Sequence, residues 1–272
     1  MKVRDKLWMF GCRAHDDDIF LGRRIFENTD MLKWSRITPA EGAFMLDIPN
    51  MLLVTGDGVP APYSNDAYGY AESFCRMDRV IWSSTGSAGL RSGNEEAFIC
   101  KLAEEYPNII GAMADDLMVK YEPDEAGYKA AKAEFEEIRA GLDKSARPLE
   151  LWATLYTYQM DAWKPYVLDV VDTITMWTWD VKDLKDLEKN FEKVKEQYPN
   201  KKKVLGIYFF DYPAGRAYTD EEMEYQCSYG LKLLQEGQIE GLLFCDNCVM
   251  GVRLPSEFWL RNWIQKVKNI EL

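Results

Sequence analysis

The stretch at residues 108–116, Asn-Ile-Ile-Gly-Ala-Met-Ala-Asp-Asp, indicates the fold class of this chain. It is an apolar run without polar alternation, typical of a strand buried on both faces in a parallel sheet covered by helices. Two adjacent acids, Asp115 and Asp116, end the run. Because successive side chains of a strand point to opposite faces, we expect only one of them to point into the interior of the sheet. That acid is the first candidate for a catalytic residue.

Similar apolar runs recur along the chain of 272 residues, and helical patterns alternate with them. The predicted strands begin near residues 7, 51, 80, 109, 149, 172, 203 and 241. Thr38 with Glu41, and Thr219 with Glu222, have the spacing of capping boxes that begin helices. Eight consecutive strand–helix units predict an α/β fold of the (β/α)8, or TIM, barrel class, which usually has roughly 250 residues. We therefore predict one barrel domain over residues 1–272.

An open, doubly wound sheet is the alternative arrangement of alternating strands and helices. Such sheets usually carry a glycine-rich phosphate-binding turn after the first strand. Here the corresponding turn is Arg13-Ala14-His15-Asp16-Asp17-Asp18, which contains no glycine. The sequence therefore favours the closed barrel.

The charge balance disfavours two classes of partner. With 33 basic and 45 acidic residues the net charge is −12, which would repel nucleic acid and anionic membrane surfaces. No window approaches the roughly 18 apolar residues of a membrane span, and the N-terminus has no secretory pattern. We expect a cytoplasmic protein, or a secreted one if a signal peptide has been removed.

The six cysteines are irregularly spaced, which favours buried free thiols over a disulfide framework. Cys245 and Cys248 have the spacing of half a metal or redox motif. No second such pair exists, however, and the chain has a single histidine, His15. We therefore predict neither a metal nor a cofactor.

The carboxyl ends of barrel strands meet at one mouth, where the active sites of this architecture lie. Acids and aromatic residues dominate the ends of the eight predicted strands. Sugars present flat C–H faces to aromatic rings and hydroxyl groups to carboxylates and amides, so this composition predicts a small-molecule carbohydrate substrate. The candidates for substrate binding are His15, Asp57, Tyr156, Gln159, Trp177, Trp179, Asp180, Asp246 and Asn247.

The sequence lacks the residues that several other barrel chemistries need. Metal-dependent amidohydrolases need three or four histidines, Schiff-base enzymes need a strand-end lysine, and phosphate sites need glycine-rich loops after the seventh and eighth strands. Cleavage of a glycosidic bond needs one acid to protonate the leaving oxygen and another to activate water or attack. Asp211, after the seventh strand, is the best partner for Asp115 or Asp116, because the fourth and seventh strands stand on opposite sides of a barrel.

This strand pattern resembles the (β/α)8-barrel glycoside hydrolases, including bacterial proteins described only as glycoside-hydrolase-like. The resemblance covers the whole barrel as a pattern and includes no diagnostic motif. It implies a glycosidase whose carboxylates come from the fourth and seventh strands, or from the fourth and sixth as in the α-galactosidase-like group. One feature departs from the four/seven type, which usually carries Glu at both positions, because no predicted strand here ends in Glu.

Several candidates also have structural interpretations. Asp180 stands where a helix cap would, a lone histidine such as His15 is often structural, and Trp177 and Trp179 would pack under helices if their shared face points outward. Two other functions stay open, a metal-independent isomerase, epimerase or lyase acting on a free sugar acid, and a non-catalytic sugar-binding barrel. We predict a glycoside hydrolase or a related carbohydrate-active enzyme.

Overall fold

Eight parallel strands close into a barrel in the computed structural model, which describes residues 1–24 and 31–272. The strands are β1 (Leu7–Gly11), β2 (Asn50–Leu53), β3 (Arg79–Thr85), β4 (Ile109–Ala114), β5 (Glu150–Tyr156), β6 (Thr173–Trp177), β7 (Lys202–Tyr208) and β8 (Gly241–Cys245). β1 pairs with β2 on one side and with β8 on the other, so the ring has no free edge. The predicted barrel is confirmed, and each strand begins within one residue of its predicted start.

Helices surround the barrel on its outer face. Those in the described ranges are α1 (Asp18–Arg24), α2 (Pro39–Leu46), α3 (Asn65–Ser73), α4 (Glu95–Glu105), α5 (Glu125–Leu142), α6 (Leu187–Gln197), α7 (Asp220–Gln235) and α8 (Pro255–Val267). Between β5 and β6 the chain forms two short 3-10 segments, first Thr157–Gln159 and then Pro165–Leu168. Proline at the first position of the second segment suits a helix start.

Both predicted capping boxes are present. The Thr38 hydroxyl accepts a hydrogen bond from the Glu41 N–H at 3.4 Å, and the Glu41 carboxylate accepts one from the Thr38 N–H at 2.9 Å. Thr219 and Glu222 exchange the same pair of bonds at 3.2 and 2.8 Å. Each cap contributes about 1 kcal/mol and defines where α2 and α7 begin, which determines the length of the loops at the barrel mouth.

Aromatic side chains fill the barrel interior. Trp8 and Trp152 belong to strands on opposite sides of the ring, yet their ring centroids lie 4.8 Å apart, so they meet inside it. Nearer the mouth, Phe10 meets Trp177 edge to face at 5.7 Å. Gly206 of β7 makes room for Trp177, because a Cβ atom at that position would lie 2.2 Å from the indole ring. The mouth therefore has a packed floor.

The chain after β7 forms a short hairpin in which Phe210–Asp211 pairs with Arg216–Ala217. The hairpin fixes the position of Asp211 and of the loop that connects its two strands, and α7 begins shortly after it. Among the helices in the described part of the chain, none combines the length and the apolar composition needed to cross a membrane.

Candidate active site

Asp115 and Asp116 both lie at the mouth of the barrel. The Thr154 hydroxyl of β5 donates to Asp115 Oδ1 at 2.6 Å. Asp116 accepts from the Tyr156 hydroxyl at 2.9 Å and from the Ala88 N–H at 3.1 Å. The alternation of a strand allowed only one inward acid, but β4 ends at residue 114 and Asp116 has a left-handed backbone with φ of 50°. The chain turns there, so strand alternation no longer applies.

This first acid pair, Asp115 with Asp116, is electrostatically unequal. Burial raises the pKa of Asp115 well above its usual value, and the nearby charge of Asp116 raises it further. Burial also raises the pKa of Asp116, but its hydrogen bonds from Tyr156 and Ala88 act in the opposite direction. The two groups share one environment, and Asp115 is the one that keeps its proton to higher pH.

A second acid pair joins Asp17, from the loop after β1, to Asp246, from the end of β8. Burial raises the pKa values of both carboxyl groups. The charge of Asp17 and a hydrogen bond between the two groups raise the pKa of Asp246 further, whereas hydrogen bonds from Tyr212 and Asp246 only partly offset the rise in Asp17. The Tyr212 hydroxyl donates to Asp17 at 2.6 Å, and the Cys248 N–H donates to Asp246 at 2.8 Å. Asp246 therefore has the more strongly raised pKa of the two.

The two acid pairs stand on opposite sides of the mouth. β4 and β8 are four strands apart in either direction around the ring. Burial raises the pKa of the Cys245 thiol at the end of β8, and the charges of Asp246, Asp17 and Asp115 raise it further, so this thiol is within electrostatic range of both pairs. A substrate between the pairs would have carboxyl groups on both sides.

Aromatic rings form one side of the mouth, here called the aromatic wall. Tyr158 stacks on Tyr156 at 5.2 Å, and Tyr156 meets Trp179 edge to face at 6.1 Å. Trp179 stacks on Tyr212 at 5.7 Å, and Tyr212 meets Phe20 of α1 edge to face at 5.2 Å. The wall therefore runs from the end of β5 to α1.

Trp177 and Trp179 occupy different depths. Trp177 is buried in the barrel, where its indole N–H donates to Thr175 at 2.9 Å and its ring lies 4.9 Å from Tyr208. Trp179 is 36% exposed and contacts the same Tyr208 from above at 5.8 Å. Their shared face points inward, as one of the two interpretations expected, but only Trp179 reaches the open mouth.

Asp211 does not join the first acid pair. Its Oδ1 accepts from the Ala214 N–H at 3.1 Å, and its Oδ2 lies 3.6 Å from Arg216 Nε without a hydrogen bond. Burial raises the pKa of Asp211, which the Ala214 bond and the Arg216 charge partly offset. The hairpin after β7 turns this carboxyl toward its own loop. The pairing of Asp211 with Asp115 or Asp116 has no support among these contacts.

Three other predicted substrate contacts are engaged with the chain itself. Asp180 caps the following helical turn by accepting from the Lys182 N–H at 3.1 Å. Gln159 accepts from the Tyr156 N–H at 3.0 Å. Asn247 is fully buried, accepts from the Cys12 N–H at 2.8 Å and donates to the Cys12 and Ile37 carbonyl oxygens at 3.0 and 2.6 Å. These side chains position the mouth loops.

His15 and Asp57 lie at the outer rim. His15 Nδ1 is 2.8 Å from Asp18, and the side chain is 55% exposed. Asp57 is 84% exposed and lies 3.2 Å from Arg13. Neither contacts either acid pair in the interactions of the described residues. Within these residues there is also no group of three or more His, Cys, Asp or Glu side chains arranged to hold a metal ion.

Sequence reasoning did not select Asp17, Tyr208 or Tyr212 as site residues. Three consecutive acids, Asp16 to Asp18, follow β1, and the sequence signal could locate the cluster. It could not choose the member that reaches Asp246, because the turn after a strand has no fixed side-chain periodicity. In the structure Asp16 pairs with Arg13 at 2.7 Å, and only Asp17 meets the acid of β8.

No protein-family model matches the sequence, and no curated protein is significantly similar to it. Solved structures are similar in fold. The GH99 endo-α-mannosidase from Bacteroides thetaiotaomicron has a TM-score of 0.58 at 9% identity, over 97% of each chain. The PgaB (BpsB) glycoside hydrolase domain from Bordetella bronchiseptica has a TM-score of 0.55 at 11% identity, over 98% of this chain and 99% of that one.

The α-L-arabinofuranosidase from Thermotoga maritima is a third similar structure. Its TM-score is 0.58 at 12% identity, over 96% of this chain and 70% of that one. At such identities the likeness concerns the fold alone. The chain has a (β/α)8 barrel of the kind found in these glycoside hydrolases.

Proposed function

We propose that this protein is a glycoside hydrolase. The glycosidic bond that it cleaves lies between the two acid pairs at the barrel mouth. The observation that carries the proposal is the arrangement of two carboxyl pairs, Asp115 with Asp116 and Asp17 with Asp246, on opposite sides of one opening, each with one fully buried member, Asp115 or Asp246. Glycoside hydrolysis needs a protonated carboxyl group and an ionised one on either side of the scissile bond. In each pair one carboxyl group has a more strongly raised pKa than the other, which favours one proton donor and one ionised group per pair.

Asp115 is the general acid in this proposal. Its raised pKa keeps it protonated, and that proton passes to the glycosidic oxygen as the bond to the anomeric carbon breaks. We assign Asp17, whose pKa is raised less than that of Asp246, as the ionised group opposite. It either removes a proton from the incoming water or attacks the anomeric carbon before water does. Both routes add one water across the bond. Asp116 and Asp246 tune the two reacting carboxyl groups.

The aromatic wall supports a sugar substrate. Trp179 and Tyr158 are 36% and 58% exposed and offer apolar faces beside the acids. An isomerase or lyase acting on a sugar acid would need a cation to hold the substrate carboxylate. Arg13 and Arg216 are the nearest basic residues after β1 and β7, and both are paired with carboxylates, at 2.7 Å to Asp16 and 2.8 Å to Glu222.

The test is hydrolysis of a panel of aryl glycosides and polysaccharides by wild type and three variants. We expect Asp115→Asn and Asp17→Asn to lower kcat by about 10²–10⁴-fold, since general acid–base groups contribute this much. Asp211→Asn is the matched control and should keep nearly full turnover. Full activity in Asp115→Asn, or an equal loss in Asp211→Asn, would overturn the assignment.

The leaving group gives a second readout for the acid. An aryl glycoside with a very acidic phenol leaves without protonation, so Asp115→Asn should lose much less activity on it than on an alkyl glycoside. Asp17→Asn should lose activity on both. The comparison uses kcat/KM, which reports the step in which the glycosidic bond breaks on either route. An equal loss of kcat/KM on both substrates in Asp115→Asn would show that this residue has a structural role.

A further inference from the structure

The aromatic wall extends beyond both acid pairs. Tyr156 donates its hydroxyl to Asp116, and Tyr212 donates its hydroxyl to Asp17, so these two rings stand directly over the acids. Tyr158 continues the wall on the far side of Tyr156. Phe20 continues it on the far side of Tyr212. Two rings of the wall therefore contact the acid pairs, and one further ring lies beyond them at each end.

The outer members keep open surface. Tyr158 is 58% exposed and Phe20 is 40% exposed, whereas Tyr212 is 8% exposed. Exposed apolar rings in a row beside a polar opening are typical of a ligand-binding surface. One sugar ring covers about one aromatic ring, so a wall of five rings, with neighbouring centroids 5.2–6.1 Å apart, has room for several sugar units.

The charge of the mouth disfavours negatively charged sugars. Four carboxyl groups line it, and burial together with neighbouring charge already disfavours their full ionisation. A uronic or sialic acid would bring another negative charge next to them. Lys182, after β6, is held by Asp180 at 2.5 Å, as Arg13 and Arg216 are held by their own acids. The mouth suits an uncharged glycan.

We infer that, on the basis of the proposed function, the substrate is an uncharged oligosaccharide or polysaccharide that binds on both sides of the acids and is cleaved within its chain. Tyr158 and Phe20 hold the sugar units at the two ends, and Trp179 holds the unit between the acid pairs. A substrate of one sugar unit would leave the outer rings unused.

Binding measured by calorimetry tests the inference without requiring turnover. The Asp115→Asn protein is titrated with disaccharides to hexasaccharides of glucose, mannose and N-acetylglucosamine in different linkages. We expect affinity to rise with length in at least one series. Adding Tyr158→Ala or Phe20→Ala should weaken the hexasaccharide about 10-fold and leave the disaccharide nearly unchanged, because each removes one stacking ring.

Tyr166→Ala is the matched control. This tyrosine is 42% exposed but packs on Tyr128 of α5, outside the wall. Equal affinity for short and long sugars, or equal binding by the Tyr158→Ala and Tyr166→Ala proteins, would overturn the inference. So would tighter binding of an oligouronide than of its neutral counterpart.

The products formed by the wild-type protein separate this inference from the proposed function. Early products of mixed length support cleavage within the chain, and release of single sugars alone contradicts it. Length-dependent binding with no hydrolysis of any glycan supports the extended binding surface and overturns the proposed function.

Discussion

Asp116 adds to the effect of burial on the pKa of its neighbour, Asp115. Its carboxylate is held by the Tyr156 hydroxyl and the Ala88 N–H, which favour its ionised form. The negative charge then raises the pKa of Asp115 beyond the effect of burial. Two adjacent residues of the same type therefore have unequal pKa values, which favours a general acid beside an ionised group.

Replacing Asp116 tests this coupling. In Asp116→Asn the neighbouring charge is gone, so the pKa of Asp115 falls and the acid loses its proton at lower pH. The alkaline limb of the kcat/KM profile should therefore move to lower pH than in wild type. Asp180→Asn, which alters an acid bound to Lys182, should leave the limb in place. A shift to higher pH would contradict the coupling.

Asn247 supports the mouth through its side-chain amide. Asn247→Ala leaves the buried Cys12 N–H and the Cys12 and Ile37 carbonyl groups without their partner. We expect the free energy of unfolding to fall by roughly 2–4 kcal/mol in urea titrations. Asn262→Ala, on an exposed position of α8, should change it by less than about 0.5 kcal/mol. Lost sugar binding at unchanged stability would instead make Asn247 a substrate contact.

At the scale of elements, β6 and β7 fit together through one small residue. Gly206 of β7 faces the indole of Trp177 on β6, and Trp177 in turn packs against Tyr208 beneath Trp179. These rings link the contact to the mouth, because Trp177 touches Tyr208 and Tyr208 touches Trp179. The position of Trp179 thus depends on a glycine in the strand next to its own.

Gly206→Ala should destabilise the protein by about 1–3 kcal/mol, because the added Cβ would overlap the Trp177 ring and overpack the core. Gly69→Ala is a control of opposite sign. Gly69 lies in α3 with nothing near its missing Cβ, so alanine there should stabilise by roughly 0.5–1 kcal/mol. Urea unfolding measures both. No stability loss in Gly206→Ala would contradict the packing of β6 on β7.

Barrel closure brings acids from three distant parts of the sequence to one opening of the whole molecule. Their raised pKa values mean that the folded protein binds more protons than the unfolded chain above about pH 4, where a free Asp ionises. Stability therefore falls as the pH rises toward the folded pKa values. Acids on the surface have the opposite effect on how stability depends on pH. Cationic partners lower the pKa values of Asp47 and Glu222, so their stabilisation is lost as the pH falls.

We therefore expect the free energy of unfolding to be highest in mildly acidic solution and to decline toward alkaline pH. Asp246→Asn removes a carboxyl group that holds its proton more strongly in the folded protein than in the unfolded chain. The decline of stability toward alkaline pH should therefore be smaller in this variant. Urea midpoints measured across the pH range compare the two proteins. A steeper decline in the variant would contradict a raised pKa for Asp246.

The fold was predictable because its information is local. Each buried strand is a short apolar run, and the capping boxes at Thr38 and Thr219 define helix starts through contacts three residues apart. Eight such units in a row then leave the closed barrel as the simplest way to bury every strand. The fourth strand and its two terminal acids were recognisable on the same basis.

The composition of the candidate site was predictable, but the partners within it were not. Acids and aromatic residues at strand ends indicate a sugar site, while pairing depends on the turns beyond the strands. The left-handed residue Asp116 brings a second acid to the mouth, and the hairpin after β7 turns Asp211 away from it. The sequence alone determined the barrel and its acidic, aromatic mouth. Only the tertiary structure decided that Asp17 meets Asp246 across barrel closure, because their contact joins opposite ends of the chain and leaves no local pattern in the sequence.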